Sequence, residues 1–294
     1  MSAALESAAV VALMRLGRRS PREYAELLDQ SGSALALMRA ELAPAGDQVS
    51  LLPEDPEPLV QRARADVDRW RQDGFALVTV LDPAYPVNLR QVHDRPPLLF
   101  VAGKLVARDA RSIALIGSRR ASRSGLEAAR SLAESLSSAG FVIVSGLAEG
   151  IDTMAHEAAL DSSGRTVAVI GTGLARTFPP QNAELQRRIV SEGAVISQFW
   201  PDERARGETF RLRNALMSGL ALGTVIVEAS ARSGTRVQAR AALAHGRPVF
   251  LLRGVLGQEW ATELARRPGV HVIDGPDEII ATVERLHGVD TLVE

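Results

Sequence analysis

The chain has 294 residues, 46% of them apolar, with no cysteine and a formal net charge of −1. That suffices for one large α/β domain and a smaller one around a sizeable core; it excludes wholesale disorder, disulfides, thiolate nucleophiles and cysteine metal sites. It also excludes a global basic field, so attraction for an anionic partner has to be local: residues 113–250 carry 16 basic and 12 acidic side chains, residues 251–294 only 4 and 8.

Met1–Leu13 lacks a basic stretch and holds Glu6, unlike a signal peptide. No apolar run approaches the ~20 residues that span a bilayer. A cytoplasmic protein without membrane contact is expected. Lys104 is the only lysine against 33 arginines, which we read as genome composition.

Residues 1–72 read as a small helical module, with helices over 8–16, 20–28, 33–42 and 59–72. Ser20-Pro21 with Glu23 resembles a capping arrangement. The stretch 44–58, rich in Pro, Asp, Glu and Gly, reads as an exposed connection. Phe75–Val80 alternates like a strand, Asp82–Pro86 is a turn, and Leu98–Val101 is a second strand, so 73–112 is expected to extend the next sheet. From Ser112 strands (112–117, 141–145, 166–170, 194–198, 224–228, 248–252) alternate with helices (124–139, 152–162, 181–191, 211–221, 235–245). A helix (258–266), a strand (270–273) and a helix (276–286) follow. Short continuous apolar strands alternating with helices predict an α/β fold: an extended Rossmann-like, doubly wound, mostly parallel sheet. The domain of 73–288 has its core at 112–254.

Ligands of such sheets bind beyond the carboxyl ends of the strands, so four turns attract attention. They are Gly117-Ser118-Arg119-Arg120, Ser145-Gly146, Gly171-Thr172-Gly173, and Arg232-Ser233-Gly234-Thr235. Glycine, hydroxyl groups and arginines together suit phosphates, and the first turn is expected to present a helix N-terminus as an anion site. Its spacing is not that of a dinucleotide fingerprint. Phe210-Arg211-Leu212-Arg213-Asn214, expected just ahead of the helix at 211, combines a ring for base stacking with arginines for phosphates, as single-stranded nucleic acid requires. Asp152 is expected to cap the helix after Gly150, with His156 held locally. Glu228 suits either a ribose hydroxyl or backbone donors. No cluster has metal-ligand spacing and no serine–histidine–acid order stands out. No catalytic residue, metal or cofactor is therefore expected.

Several segments, in this order, resemble the DNA-processing protein A (DprA/Smf) family: DPAYPVNLRQVHDRPPLLFVAG, IALIGSRRASRSG, VSGLAEGIDTMAHEAAL, VAVIGTGLARTFPPQN, FRLRNALMSGLA and VEASARSGTRVQARAALAHGRPVF. The resemblance implies an extended Rossmann fold without nicotinamide. It also implies single-stranded DNA binding, homodimerisation, and loading of RecA recombinase onto DNA in natural transformation. It points to Gly117, Ser118, Arg119, Gly171, Gly173, Phe210, Arg213 and Asn214 as the DNA pocket. The chain departs from the family pattern at Ala215, where an arginine is usual, at Gln198 to Trp200, and at Leu252-Arg253-Gly254. A further departure, Gly257–Gly269, falls where the family builds its dimer. No appended winged helix is expected after Leu286. The competing reading is a nucleotide-binding or nucleotide-hydrolysing Rossmann protein, such as a phage-defence sensor.

Overall fold

The computed structural model describes residues 3–43, 55–230 and 234–288. Four helices come first: α1 (Ala3–Leu16), α2 (Pro21–Ser31), α3 (Ala34–Leu42) and α4 (Glu57–Gln72). Ser20 and Glu23 close the anticipated capping box at α2, and Gly32 ends that helix in the left-handed region, φ 66°. The chain then runs through β1 (Phe75–Thr79), the one-turn α5 (Val87–Arg90) and β2 (Leu98–Gly103). Alternation follows: β3 (Ser112–Gly117), α6 (Arg123–Ser138), β4 (Val142–Ser145), α7 (Ile151–Asp161), β5 (Thr166–Val169), α8 (Ala183–Glu192) and β6 (Ala194–Ser197). The last part comprises α9 (Gly207–Leu220), β7 (Gly223–Glu228), α10 (Thr235–Ala244), β8 (Val249–Leu252), α11 (Glu259–Leu264), β9 (Val270–Ile273) and α12 (Pro276–His287).

One nine-stranded sheet results, in the order β1-β2-β6-β5-β4-β3-β7-β8-β9. The seven strands from β6 to β9 are parallel, and β2 joins β6 antiparallel, Phe100 opposite Ser197. The extension over 73–112 is thus an antiparallel edge on a doubly wound sheet. Side chains alternate across the strands. Ile113, Leu115 and Ile143 bury against α6, α7 and α12, while Ala114, Ile116, Val142 and Val144 join the opposite cluster. That second cluster also contains Leu13, Tyr24, Met38, Val67 and Trp70 of the N-terminal helices. Trp70 meets Phe100 of β2 edge-on at 5.0 Å and stacks with Trp200 at 5.9 Å.

Two boundaries differ from expectation in ways that bear on function. α9 starts at Gly207, four residues early, because Thr209 Oγ1 accepts the Arg206 N–H at 3.0 Å and covers a free donor of the first turn. Phe210, Arg211, Arg213 and Asn214 therefore sit on a helix and not in a loop. The N-cap of α7 is Gly150, with φ 80°, and not Asp152; Ser118 and Arg119 carbonyls pass so close that a Cβ at Gly150 would lie 2.3 Å from the first.

Candidate nucleic-acid interface

β3 and β7 are neighbours, yet the chain leaves β3 for β4 on one side and reaches β7 on the other. Such a switch point opens a crevice at the carboxyl ends of the strands. Here it is a cavity of about 650 Å³ lined by the turn after β3, the first half of α9 and the start of α10. Gly117, Ser118, Arg119, Arg120, Phe210, Arg213, Asn214, Gly234 and Thr235 all line it. Arg232 and Ser233 lie outside the described residues.

Arg119 and Arg120 are exposed at the rim, and neither forms an ion pair with another described residue. The turn that presents them is held by Ser118, whose hydroxyl accepts the Arg120 N–H at 3.1 Å. The helix N-terminus behind them is not an open anion site, contrary to expectation. Glu228, at the end of β7, accepts the Ser122 N–H at 3.1 Å and the Ser122 hydroxyl. Its carboxylate lies where a Cβ on Gly125 would fall, 2.3 Å away. A carboxylate fills the positive end of α6, so Glu228 serves backbone donors, and anion reception passes to the arginines.

Arg213 forms the floor. It is 6% exposed, and its guanidinium lies on Gly146, where a Cβ would sit 1.2 Å from Nη1. Its nearest counter-charge is Asp152 at 3.9 Å, its Val169 carbonyl contact is long at 3.5 Å, and its Nε has no partner. Burial pushes the Arg213 pKa down, and burial pushes the Asp152 carboxyl up in spite of Arg213. Asp152 also accepts the Gly146 and Ala148 N–H groups at 3.2 and 3.4 Å, which shapes the turn after β4. Beside this pair lies Gln238, 1% exposed, with neither amide atom hydrogen-bonded. An unsatisfied buried polar group costs about 1–3 kcal/mol, so the floor is built for a polar occupant or for water.

Phe210 is half-buried over Gly171, with the Arg119 guanidinium 5.4 Å from its ring centre. Phe178, 43% exposed, stands 5.8 Å away, so two rings share the rim. Neither Phe178 nor Gln238 was singled out from sequence. The first sits inside the quoted ARTFPPQN segment, and the second is one turn into α10 after Gly234.

The other expected residues do not line the cavity. Ser145 is buried and donates to the Leu115 carbonyl at 2.6 Å. Thr172 is buried, its carbonyl accepting from Ser197. A Cβ on Gly173 would lie 1.9 Å from the Trp200 carbonyl oxygen, so this glycine admits the protein's own backbone. Arg211 is exposed but absent from the lining. His156 is fully buried, its Nδ1 2.7 Å from Thr166 Oγ1, and burial pushes its pKa down to about 3.

Sheet order, switch point and cavity define a doubly wound Rossmann-like protein whose ligand crevice is polar and rich in arginine. Residues 76–283 match the family described as DNA recombination-mediator protein A, and the chain belongs to that family. It is 39% identical over 180 residues to DNA processing protein DprA of Streptococcus pneumoniae, covering 61% of this chain and 64% of that one. It is 38% identical over 216 residues to protein Smf of Escherichia coli, covering 72% and 58%. The chain thus spans less than two thirds of either relative. The X-ray structure of the S. pneumoniae protein superposes with TM-score 0.66 and 32% identity, over 78% of this chain and 82% of that one. DNA processing protein A of Helicobacter pylori, studied for its single-stranded DNA binding mode, superposes with TM-score 0.64 and 26% identity, over 72% and 96%.

Proposed function

We propose that the chain binds single-stranded DNA at the switch-point cavity and acts as a cytoplasmic recombination mediator, handing DNA to a RecA-type recombinase as a homodimer, with no catalytic step of its own. The observation that carries this reading is the charge around the cavity: three guanidinium groups, two of them exposed, face one carboxylate, with the Phe210 and Phe178 rings alongside. Arginines take phosphates and rings take bases. The single-stranded DNA binding mode studied in the H. pylori relative supports the same reading. Among the described residues no helix is long and apolar enough to cross a membrane. The division at 72/73, with a helical module before the sheet domain, belongs to this proposal as a division of architecture.

The test is fluorescence anisotropy with a labelled oligothymidine across a salt series. Binding is expected to weaken steeply with salt. Arg119→Ala is expected to reduce the slope of log K against log salt by about 0.7, one phosphate contact on a single strand. Unchanged affinity and slope in the folded variant remove Arg119 from the site. A cavity of this size also suits a mononucleotide, so free nucleotides form the second arm. Nucleotide binding without oligomer binding overturns the DNA reading. Light scattering that finds only monomer at micromolar concentration overturns the dimer.

A further inference from the structure

We propose that His93, Asp94 and His245 form a binding site for a divalent transition-metal ion of the zinc type. The site lies away from the cavity and does not depend on the nucleic-acid reading. One ligand atom from each residue lies within 4.8 Å of the others. His93 and Asp94 are adjacent in the segment between α5 and β2, while His245 follows the last turn of α10, 151 positions from Asp94. No sequence spacing announces such a cluster; the fold assembles it.

Three features give the cluster the chemistry of a ligand set. The first is its composition. Two imidazoles and a carboxylate suit zinc-type ions, and three protein ligands leave a fourth tetrahedral position for water. The second is the fit between rigid and movable parts. The His245 side chain is 1% exposed and fixed, whereas His93 and Asp94 are exposed and able to close on an ion. His93 already stands against His245, ring centres 5.6 Å apart. Asp94 Oδ1 is 2.7 Å from His245 Nε2; an ion between them needs about 3.3 Å, the edge of a tetrahedron with ~2.05 Å bonds.

The third feature is Ser218 on α9, behind the ring. Its Oγ lies 2.9 Å from His245 Nδ1 and 2.9 Å from the Ala215 carbonyl oxygen. Without an ion, His245 carries its proton on Nε2, donates it to Asp94, and accepts the Ser218 O–H at Nδ1. With an ion on Nε2 the proton moves to Nδ1 and is donated to Ser218 Oγ, whose own proton turns to Ala215. The hydroxyl rotates, and every group keeps a partner in both states. A metal-bound imidazole is oriented by such a partner on its other nitrogen. Asp94 is held below the usual carboxylate range: burial raises its pKa, but the hydrogen bond and charge of His245 and the charge of His93 outweigh it. The carboxylate is therefore ready for a cation at neutral pH.

An ion here would tie the segment before β2 to α9 and α10. Those two helices line the cavity with their first turns, so the site holds their other ends. The test uses tag-free, full-length chain stripped with EDTA and titrated with Co²⁺. Visible d–d bands of four-coordinate cobalt, saturating at one equivalent and bleached by Zn²⁺, are expected. His93→Ala and Asp94→Asn, both at exposed positions, should retain the metal-free melting curve and weaken Co²⁺ binding by about tenfold or more. Ser218→Ala should weaken it by about tenfold, the scale of outer-sphere partners. His287→Gln, outside the cluster, should bind as the parent does. Absence of saturable bands overturns the proposal, and so does parental affinity in both His93→Ala and Asp94→Asn.

Discussion

The turns after β3 and β5 leave the same edge of the sheet, each with glycine beside a hydroxyl residue, and they meet opposite surroundings. Gly117-Ser118-Arg119 opens onto the cavity. Gly171-Thr172-Gly173 is roofed by the Phe210 ring and by the Trp200 and Pro201 carbonyls. A strand-end glycine thus has two physical uses: it lets a ligand approach the main chain, or it lets the protein's own chain do so. Arg119 and Arg213 divide in the same way, one free at the rim and one buried as a floor.

The sharpest way to break the comparison is to add a methyl group on each side of it. Gly173→Ala drives a Cβ into two backbone carbonyls and is expected to cost about 3 kcal/mol or more of stability, since backbone yields less readily than side chains. Gly234→Ala, at φ −63° with nothing within 4 Å, is expected to be neutral or to gain about 0.5 kcal/mol. Urea melts of both decide it; equal stability means the roof over Gly173 gives way.

Arg213→Met tests the floor. It leaves Asp152 buried without its counter-charge, at a cost of about 3 kcal/mol near neutral pH. The sign follows from the Asp152 pKa, already raised by burial: the folded state holds the proton more tightly, so the loss is small at acid pH and grows as pH rises past the unfolded carboxylate value. Adding Asp152→Asn should restore most of the stability. A loss independent of pH removes Asp152 as its cause.

Phe210→Ala tests the rim. Oligothymidine affinity is expected to fall by about 1–3 kcal/mol with an unchanged salt slope, because a ring and no phosphate contact is lost. A large stability loss with intact binding would make Phe210 a packing residue only. The smallest effect expected is that of acid on His156. Its folded pKa lies near 3 against an ordinary 6.5, so the stability it contributes is complete above pH 6.5 and declines as pH falls. At pH 5.5 the decline is about 1.4 kcal/mol. His156→Gln should flatten that part of the curve; a parental slope in the variant places the acid sensitivity elsewhere.

Much of the fold was legible because its strands are short apolar runs such as Ile113–Ile116, bounded by glycine, which only a parallel sheet buried on both faces accommodates. The helix caps at Ser20 and Ser33 were local signals and fell where expected. What escaped were relations across the sheet. Glu228 and Ser122 are 106 positions apart, and nothing in either segment says that a carboxylate will fill the start of α6. Arg213 reads like Arg211 in the chain, yet the helix turns one inward and the other out; an early start to α9, set by Thr209, decides which. The glycines after β5 looked like those after β3 because the carbonyls that roof them come from Trp200 and Pro201.

The stacked indoles of Trp70 and Trp200 lie 5.9 Å apart at 30°, near enough for their excited states to mix, so the pair absorbs ultraviolet light as one chiral chromophore. Trp260, beside Arg236 on α11, stands outside it. The seating of α4 on the segment after β6 therefore carries its own optical signature, a near-ultraviolet dichroic band distinct from the backbone signal. Because that same segment lays its carbonyls over Gly173, the colour of the pair reports on the roof of the silent turn while the cavity next to it is filled or emptied.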